Sequence, residues 1–236
     1  MIEGAGSICR ACRLLEITVL EDDFRALLIE YSREAGVTLT EAQAQLCARH
    51  VGLMLDWNRR LNLTRIVSHE DIIVKHLLDS VLPAKFLPAS GRALDVGSGA
   101  GFPGIPLKIV NSALDLLLLD SNRKKVSFLA AVTAKLGLKG LQARHGRWEN
   151  LSESDQNGCG FQLITMRAVR LEPVHLSVLA SRFLDSGGMF AFWAGPESDV
   201  SEEVESRITD LDFRGKHPYN LPGISRERSV LIWKKR

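Results

Sequence analysis

Four glycines, Gly97, Gly99, Gly101 and Gly104, fall within ten residues of Asp95, which itself closes a short apolar run. Glycine is used where backbone must turn sharply, take positive φ or lie against a ligand with no Cβ in the way. Asp95 stands at the carboxyl end of a strand, where open α/β sheets bind their ligands. From Gly104 the chain restarts as an apolar helix, whose first amide donors face whatever lies above the loop. This is the layout of a loop for a nucleotide-type cofactor. Asp120, Trp148 with Glu149, and Arg167 each follow a later apolar run, which puts them on the same edge of the sheet.

Two cofactors compete for the loop. Gly99, Gly101 and Gly104 fit a dinucleotide fingerprint, with Asp120 about 20 residues beyond it. Asp95, Gly97, Gly99 and Gly101 fit the Asp-x-Gly-x-Gly-x-Gly loop of S-adenosylmethionine methyltransferases. A carboxylate ahead of the first glycine can face a sulfonium and an amino-acid end, whereas a pyrophosphate would meet an unwanted negative charge there. That electrostatic argument favours the methyl donor. Asp120 is expected to accept ribose hydroxyls under either reading; its plainer alternative is an N-cap for the helix opening at Asn122. Trp148 can stack on an adenine and Glu149 can accept from its exocyclic amine, against the plainer reading of a helix's first turn. Arg167 can orient donor or substrate, or form a surface salt bridge.

These residues need strands to carry them. From Arg92 apolar runs at 92–96, 114–119, 140–144, 161–166 and 188–193 alternate with helical patterns at 104–111, 122–136, 172–184 and 199–211. Such alternation predicts right-handed βαβ units on a mainly parallel sheet. A last strand over Arg228 to Lys234 is expected to pair near 214–220. Ahead of this lies a helical part: Phe24 to Ala35 ended by Gly36, a long helix capped by Thr40 and running through Leu61, and a third helix from Ser68, with Asp71 in the capping-box position, to about Leu82. Pro83 and Pro88 punctuate a linker. The division read is a tail over 1–20, a helical cap over 21–90 and a cofactor-binding domain over 91–236. Trp57, Leu61 and Leu63 read as core; His76 and Asp79, one helical turn apart, read as fixing the helices against the cofactor loop.

Size and charge narrow the class. The chain has 236 residues, 45% of them hydrophobic, enough for one substantial core with an appendage. No run approaches the roughly 18 apolar residues of a membrane span, and the N-terminus is too weakly apolar for a secretion signal, so a cytoplasmic protein is expected. Cys9, Cys12, Cys47 and Cys159 make neither a disulfide framework nor a completed zinc site. A net charge of +2 excludes a strongly basic coat protein but not an enzyme with a local basic face. Arg123, Lys124, Lys125 and Arg170, with Arg144, Arg147, Arg226 and Arg228, are the candidates for that face. The acidic stretch from Glu197 to Asp212 is expected on a helix away from it.

Read together, these residues resemble the small-subunit ribosomal RNA guanine-N7 methyltransferases of bacteria, the glucose-inhibited division protein B family. The likeness covers roughly residues 22 to 236. It is carried by Trp57-Asn58 with Asn62-Leu63-Thr64, by His76, Asp79 and Ser80, by the loop from Asp95 to Leu107 with its Phe102-Pro103-Gly104-Ile105-Pro106 continuation, by Leu119-Asp120-Ser121 with Arg123-Lys124-Lys125 and Phe128-Leu129, by Arg167-Ala168-Val169 and by Gly187-Gly188. The resemblance implies a Rossmann-like S-adenosylmethionine-dependent methyltransferase fold, mainly parallel in its sheet, with an N-terminal helical cap. It implies methylation of N7 of one guanine in the decoding region of 16S ribosomal RNA, with donor contacts at Gly97, Phe102, Asp120, Ser121, Trp148, Glu149 and Arg167. Substrate RNA contacts are expected at Arg123, Lys124, Lys125 and Arg170. The partners implied are 16S ribosomal RNA or the small ribosomal subunit, with no membrane and no metal, and the protein is expected to act as a monomer. Two departures stand out: Trp148 occupies a place the family gives to a small residue, and Trp193-Ala194-Gly195 replaces a lysine-glycine pair. Guanine N7 carries an in-plane lone pair and no proton, so near-attack positioning suffices and no general base is expected. The readings weighed against it are a nicotinamide-dependent oxidoreductase, which lacks a Tyr-x-x-x-Lys pair since the only tyrosines are Tyr31 and Tyr219, and a non-catalytic RNA-binding assembly factor.

Overall fold

The computed structural model describes residues 10–151, 160–167, 173–194 and 210–236. Its centre is a seven-stranded sheet: β1 (Ser90–Val96), β2 (Ala113–Asp120), β3 (Leu141–His145), β4 (Phe161–Arg167), β5 (Leu184–Ala194), β6 (Leu211–Tyr219) and β7 (Arg228–Lys235), in the order β3-β2-β1-β4-β5-β7-β6. The five strands from β3 to β5 are parallel. Only β7, which enters between β5 and β6, runs antiparallel to both. The order turns outward in both directions from β1 and β4, so the carboxyl ends of these two strands flank the switch point where such sheets open a crevice.

The helices follow from local chemistry. Arg10–Glu34 forms α1 and Glu41–Leu61 forms α2, where the Thr40 side chain takes the Gln43 amide and the Gln43 side chain takes the Thr40 amide, the reciprocal box that starts the helix. Asn62 stops α2 in the left-handed region. Ser68 caps the next helix by accepting from the Asp71 amide at 3.3 Å. The Asp71 carboxylate pairs with Lys75 at 2.6 Å. That helix runs as α3 (His69–Ile72), a π-helical stretch over Ile73–Leu78 and α4 (Asp79–Val81), continuing as a 3-10 turn over Leu82–Phe86. The expected linker is therefore structured: Leu82 and Pro83 are buried, and proline is tolerated because it opens the turn. Next come α5 (Gly104–Val110), α6 (Arg123–Leu136) and α7 (Pro173–Phe183).

The first helix corrects the sequence reading. Its backbone is helical from Arg10, fourteen residues before the expected start at Phe24 and inside the stretch read as a tail. No glycine or proline interrupts 10–34, so nothing in the sequence stops the helix from extending back to Arg10. The helix expected over 199–211 lies outside the described residues apart from its end.

Two apolar layers sandwich the sheet. Alternate strand residues such as Ala93, Leu163, Val230 and Ile232 join Phe24, Leu28, Met54, Ile73 and Phe128 in one cluster, so the N-terminal helices share a core with one face of the sheet. Their neighbours Leu94, Ile164, Leu231 and Trp233 join Leu179 and Phe183 on the other face. Among the described residues no helix is long and apolar enough to cross a membrane.

Candidate functional site

A cavity of about 500 Å³ opens over the carboxyl ends of β1, β2 and β4, within the size range of small-molecule sites. Its floor is the glycine loop. Gly97 and Ser98 both donate their amides to the Leu119 carbonyl, at 2.8 and 3.1 Å, which ties the loop to β2. Gly97, Ser98, Gly99, Ala100 and Phe102 line the cavity.

Asp95 is not among the lining residues, and here the sequence reading fails. The side chain is fully buried; its Oδ1 accepts the Thr165 hydroxyl at 2.7 Å and its carbonyl accepts the Ser98 hydroxyl at 3.0 Å. Oδ2 lies under Gly104, where an added Cβ would come within 2.8 Å of it and 2.6 Å of Leu118. Glycine at 104 is thus a close-packing requirement. Burial pushes the Asp95 carboxyl above its ordinary value, opposed by the Thr165 and Ser98 hydrogen bonds. Asp95 supports the loop from beneath and does not face a ligand, so it gives no electrostatic ground for preferring a sulfonium to a pyrophosphate.

Asp120 ends β2 and lines the cavity. Its Oδ2 accepts the Gly99 amide and its Oδ1 the Asn122 amide, each at 2.8 Å. Gly99 reaches that position with φ of +58°. The N-cap of α6 is Asn122, whose side chain takes the Lys124 and Lys125 amides. Asp120 therefore does not cap the helix directly. Both its oxygens keep lone pairs for hydroxyls in the cavity. Trp148 and Glu149 sit in a 3-10 turn after β3 and also line the cavity, with Ser121, Gly146 and Arg147. Trp148 is 7% exposed because it packs with the cluster on the second face of the sheet. The size, the glycine cradle and the prepositioned carboxylate fit a nucleoside-bearing donor.

The opposite end is built by the helices. Leu63 packs half-buried against the core, as read from sequence, and also lines the cavity beside Thr64, where Asn62 turns the chain out of α2. Asn58 holds this turn by taking the Thr64 amide at 2.9 Å and giving its own amide to the Thr64 carbonyl at 3.0 Å. His76, from the π-helical stretch, stacks on Phe102 with ring centroids 4.6 Å apart and planes 16° from parallel. Its Nε2 lies 3.0 Å from the Thr64 hydroxyl and its Nδ1 3.3 Å from an Arg167 nitrogen. Burial, helped by the Arg167 charge, pushes the imidazole down to about 3, so it is neutral.

Arg167 is no surface salt bridge. Its Nη1 donates to Asp79 Oδ2 at 3.0 Å and to the Lys75 carbonyl at 3.4 Å, and its guanidinium lies 5.4 Å from the centre of the Phe102 ring. Asp79, 7% exposed, also accepts the Tyr219 hydroxyl at 2.9 Å, and its carbonyl accepts the Trp193 indole at 2.7 Å. Wider π geometry, common at functional sites, carries Lys75 and His76 to this cluster. The Tyr219 hydroxyl is driven above its ordinary range by burial and by the Asp79 charge.

The expected basic face divides. Arg123 and Lys124 are exposed on the first turn of α6, while Lys125 is half-buried and lines the cavity. Arg170 lies outside the described residues. Among the described residues there is no group of three or more His, Cys, Asp or Glu that could hold a metal ion. Cys47 is buried and its thiol is pushed up to about 12.

Sequence reasoning missed His50. Fully buried in α2, it donates from Nε2 to the Ala100 carbonyl at 2.8 Å, packs against Phe102 and Phe128, and is pushed down to about 4 by burial. A lone histidine on an apolar helix face carries no signal of a loop fifty residues on. Thr64 and Tyr219 were likewise seen as family residues or tyrosines, not as parts of this cluster.

Comparison with known proteins agrees with the architecture. The model of the family described as rRNA small subunit methyltransferase G matches residues 43–232. The chain is 46% identical to ribosomal RNA small subunit methyltransferase G 1 of Syntrophobacter fumaroxidans over 203 residues, 84% of this chain and 91% of that one. It is 33% identical over 222 residues to the methyltransferase G of Desulforamulus reducens, covering 91% of each. Among solved structures it resembles the TYW2 protein of P. horikoshii (TM-score 0.51, 13% identity, 67% of this chain and 62% of that one) and the YcgJ protein of Bacillus subtilis (TM-score 0.52, 16% identity, 68% and 99%). The fold is Rossmann-like.

Proposed function

The chain belongs to the rRNA small subunit methyltransferase G family, and from that premise we propose that it transfers a methyl group from S-adenosylmethionine to N7 of one guanine in 16S ribosomal RNA, as a monomer in the cytoplasm. The observation that carries the reading is the family match over residues 43–232; the glycine-floored cavity, with Asp120 held by the Gly99 and Asn122 amides, has room and acceptors for the donor. In this reading Asp120 takes ribose hydroxyls, Gly97 and Ser121 frame the donor, Trp148 offers its edge and Glu149 its carboxylate to the adenine. Phe102 and Arg167 close the far end. When bound, the donor supplies a methyl group on a sulfonium, and the in-plane lone pair of guanine N7 takes it with no proton to remove. The chain's own work is then to hold two partners in near-attack geometry, which can contribute up to roughly 7–11 kcal/mol in favourable cases. Arg123, Lys124, Lys125 and Arg170 serve as phosphate contacts, which dominate affinity for nucleic acid. The helices over 21–90 act as a cap over the cofactor-binding part at 91–236.

The test is to incubate the protein with labelled donor and small ribosomal particles that lack the modification, then treat the RNA with borohydride and aniline. Label transfer with cleavage at a single guanine is expected. Transfer without cleavage would remove the N7 assignment, and absence of transfer would remove the enzyme.

A further inference from the structure

The cap end of the cavity presents two hydrogen-bond donors, the Arg167 guanidinium and the Thr64 hydroxyl. Arg167 is a donor by nature. Because a guanidinium cannot accept, the 3.3 Å contact between Arg167 Nη2 and His76 Nδ1 makes Nδ1 the acceptor. The neutral imidazole then carries its proton on Nε2 and gives it to Thr64 Oγ1 at 3.0 Å. The same oxygen takes the Ile66 amide at 3.1 Å. Both lone pairs of the Thr64 hydroxyl are therefore spent, and its own hydrogen has no acceptor among the described residues. The carbonyls of Thr64, Ala100 and Lys75 each already hold a donor, from Asn58, His50 and Arg167.

Two donors side by side suit a ligand edge that offers two adjacent acceptors. Guanine offers two adjacent acceptors, N7 and O6, on one edge, whereas adenine places an N6 amine donor beside N7. Resting on the reading of the site as a guanine-N7 methyltransferase, we propose that Thr64 is a specificity-determining residue whose hydroxyl donates to O6 of the target guanine, with His76 fixing the direction of that donor. Adenine at the same place would set its amine against the hydroxyl hydrogen and the Arg167 guanidinium. Because N7 itself is consumed by the new N–CH3 bond while the S–CH3 bond breaks towards sulfur, O6 is the atom left to be recognised beside it.

The experiment uses the whole protein with small-subunit particles carrying guanine, 2-aminopurine (no O6) or 2,6-diaminopurine (an amine in its place) at the target position. Wild-type protein is expected to methylate guanine at least about tenfold faster, in kcat/KM, than either analogue. T64V, which keeps the shape and loses the hydroxyl, should lose that preference by slowing on guanine while the 2-aminopurine rate stays. T64S should restore it. Calorimetry should find S-adenosylmethionine affinity unchanged in T64V. A T64V protein that still prefers guanine tenfold overturns the proposal, and so does a T64V protein that loses donor affinity instead of base preference. Wild-type protein that transfers nothing to any of the three overturns the functional reading itself.

Discussion

The two ends of the cavity are built by different means. The donor end is made of backbone: the Gly97, Ser98 and Gly99 amides hold to Leu119 and Asp120, and the longest sequence step among these bonds is 22 residues. The cap end is made of side chains brought from far apart. Arg167 reaches Asp79 across 88 residues, and Tyr219 reaches the same carboxylate across 140. A backbone cradle tolerates many side chains but few shapes; a side-chain cluster tolerates neither a lost charge nor a lost hydroxyl. Substitutions should therefore damage the cap end through stability and the donor end through affinity.

The largest effect is expected at Asp79. Alanine there leaves the Arg167 guanidinium without its counter-charge and Tyr219 without its acceptor, and breaking one side of a buried pair costs about 3–5 kcal/mol. Urea unfolding of D79A should show it. The double variant D79A/R167M removes both charges and should recover much of that stability. It should stay inactive if Arg167 also serves the site. Recovery of activity along with stability would reduce the cap end to a structural brace.

Acid should weaken the hold of the helices on the loop. An exposed imidazole takes its proton near pH 6.5, whereas buried His50 stays neutral down to about 4 and His76 to about 3. With the folded value below the unfolded one, their contribution is complete above pH 6.5 and is lost as pH falls through those folded values. For His50 alone the loss by pH 4 is about 3 kcal/mol. Asp95, whose carboxyl is raised, works in the opposite direction. The stability of H50Q, followed by urea unfolding between pH 7 and 4, should fall less steeply than that of wild type. A curve as steep as wild type would mean that His50 is not held neutral by its packing against Phe102 and Phe128.

At the donor end the expected signature is reversed. D120A removes the acceptor of two amides and of the ligand's hydroxyls, and should weaken S-adenosylmethionine binding by about tenfold to a hundredfold. Its unfolding midpoint should move less than that of D79A, since the amides it frees can turn to the water in the cavity. A D120A protein as unstable as D79A would erase the contrast between the two ends.

The same contrast explains what the sequence disclosed. The strands, their order of appearance and the glycine loop are local patterns, and period, caps and turn residues mark them within a few positions. Asp120 was readable because a carboxylate closing the second strand has few places to go. Asp95 was readable as important but not in its direction, because the choice between facing a ligand and facing Thr165 depends on β4, seventy residues away. Leu63 packs against the core as read, but its second place in the cavity wall depends on the αL turn at Asn62, which has no hydrophobic signature. The union of Thr64, His76, Asp79, Arg167 and Tyr219 needs the fold itself, since no spacing in the chain encodes it. The start of α1 was missed for another reason: Arg10 to Leu20 show no apolar stripe and include the β-branched run Ile17-Thr18-Val19, and pattern reading weighs both.

The smallest effect is expected on the outer rim, where Lys124 and Lys125 are neighbours in sequence but not in surroundings. Lys124 is exposed on the first turn of α6, and no ion pair is seen for it among the described residues. As a phosphate contact it would contribute through counterion release alone, so K124A should lower RNA affinity only about two- to fivefold and reduce the slope of log K against log salt by about 0.7–0.9. Donor affinity should not change. Lys125, half-buried in the cavity wall, should behave otherwise: K125A should alter donor affinity as well, because its charge lies beside Asp120 and Ser121 in the lining. Equal salt slopes and equal donor affinities for the two variants would place both lysines on the rim. A K124A protein with the wild-type slope would take α6 out of the RNA surface and leave RNA binding to the residues around Arg147.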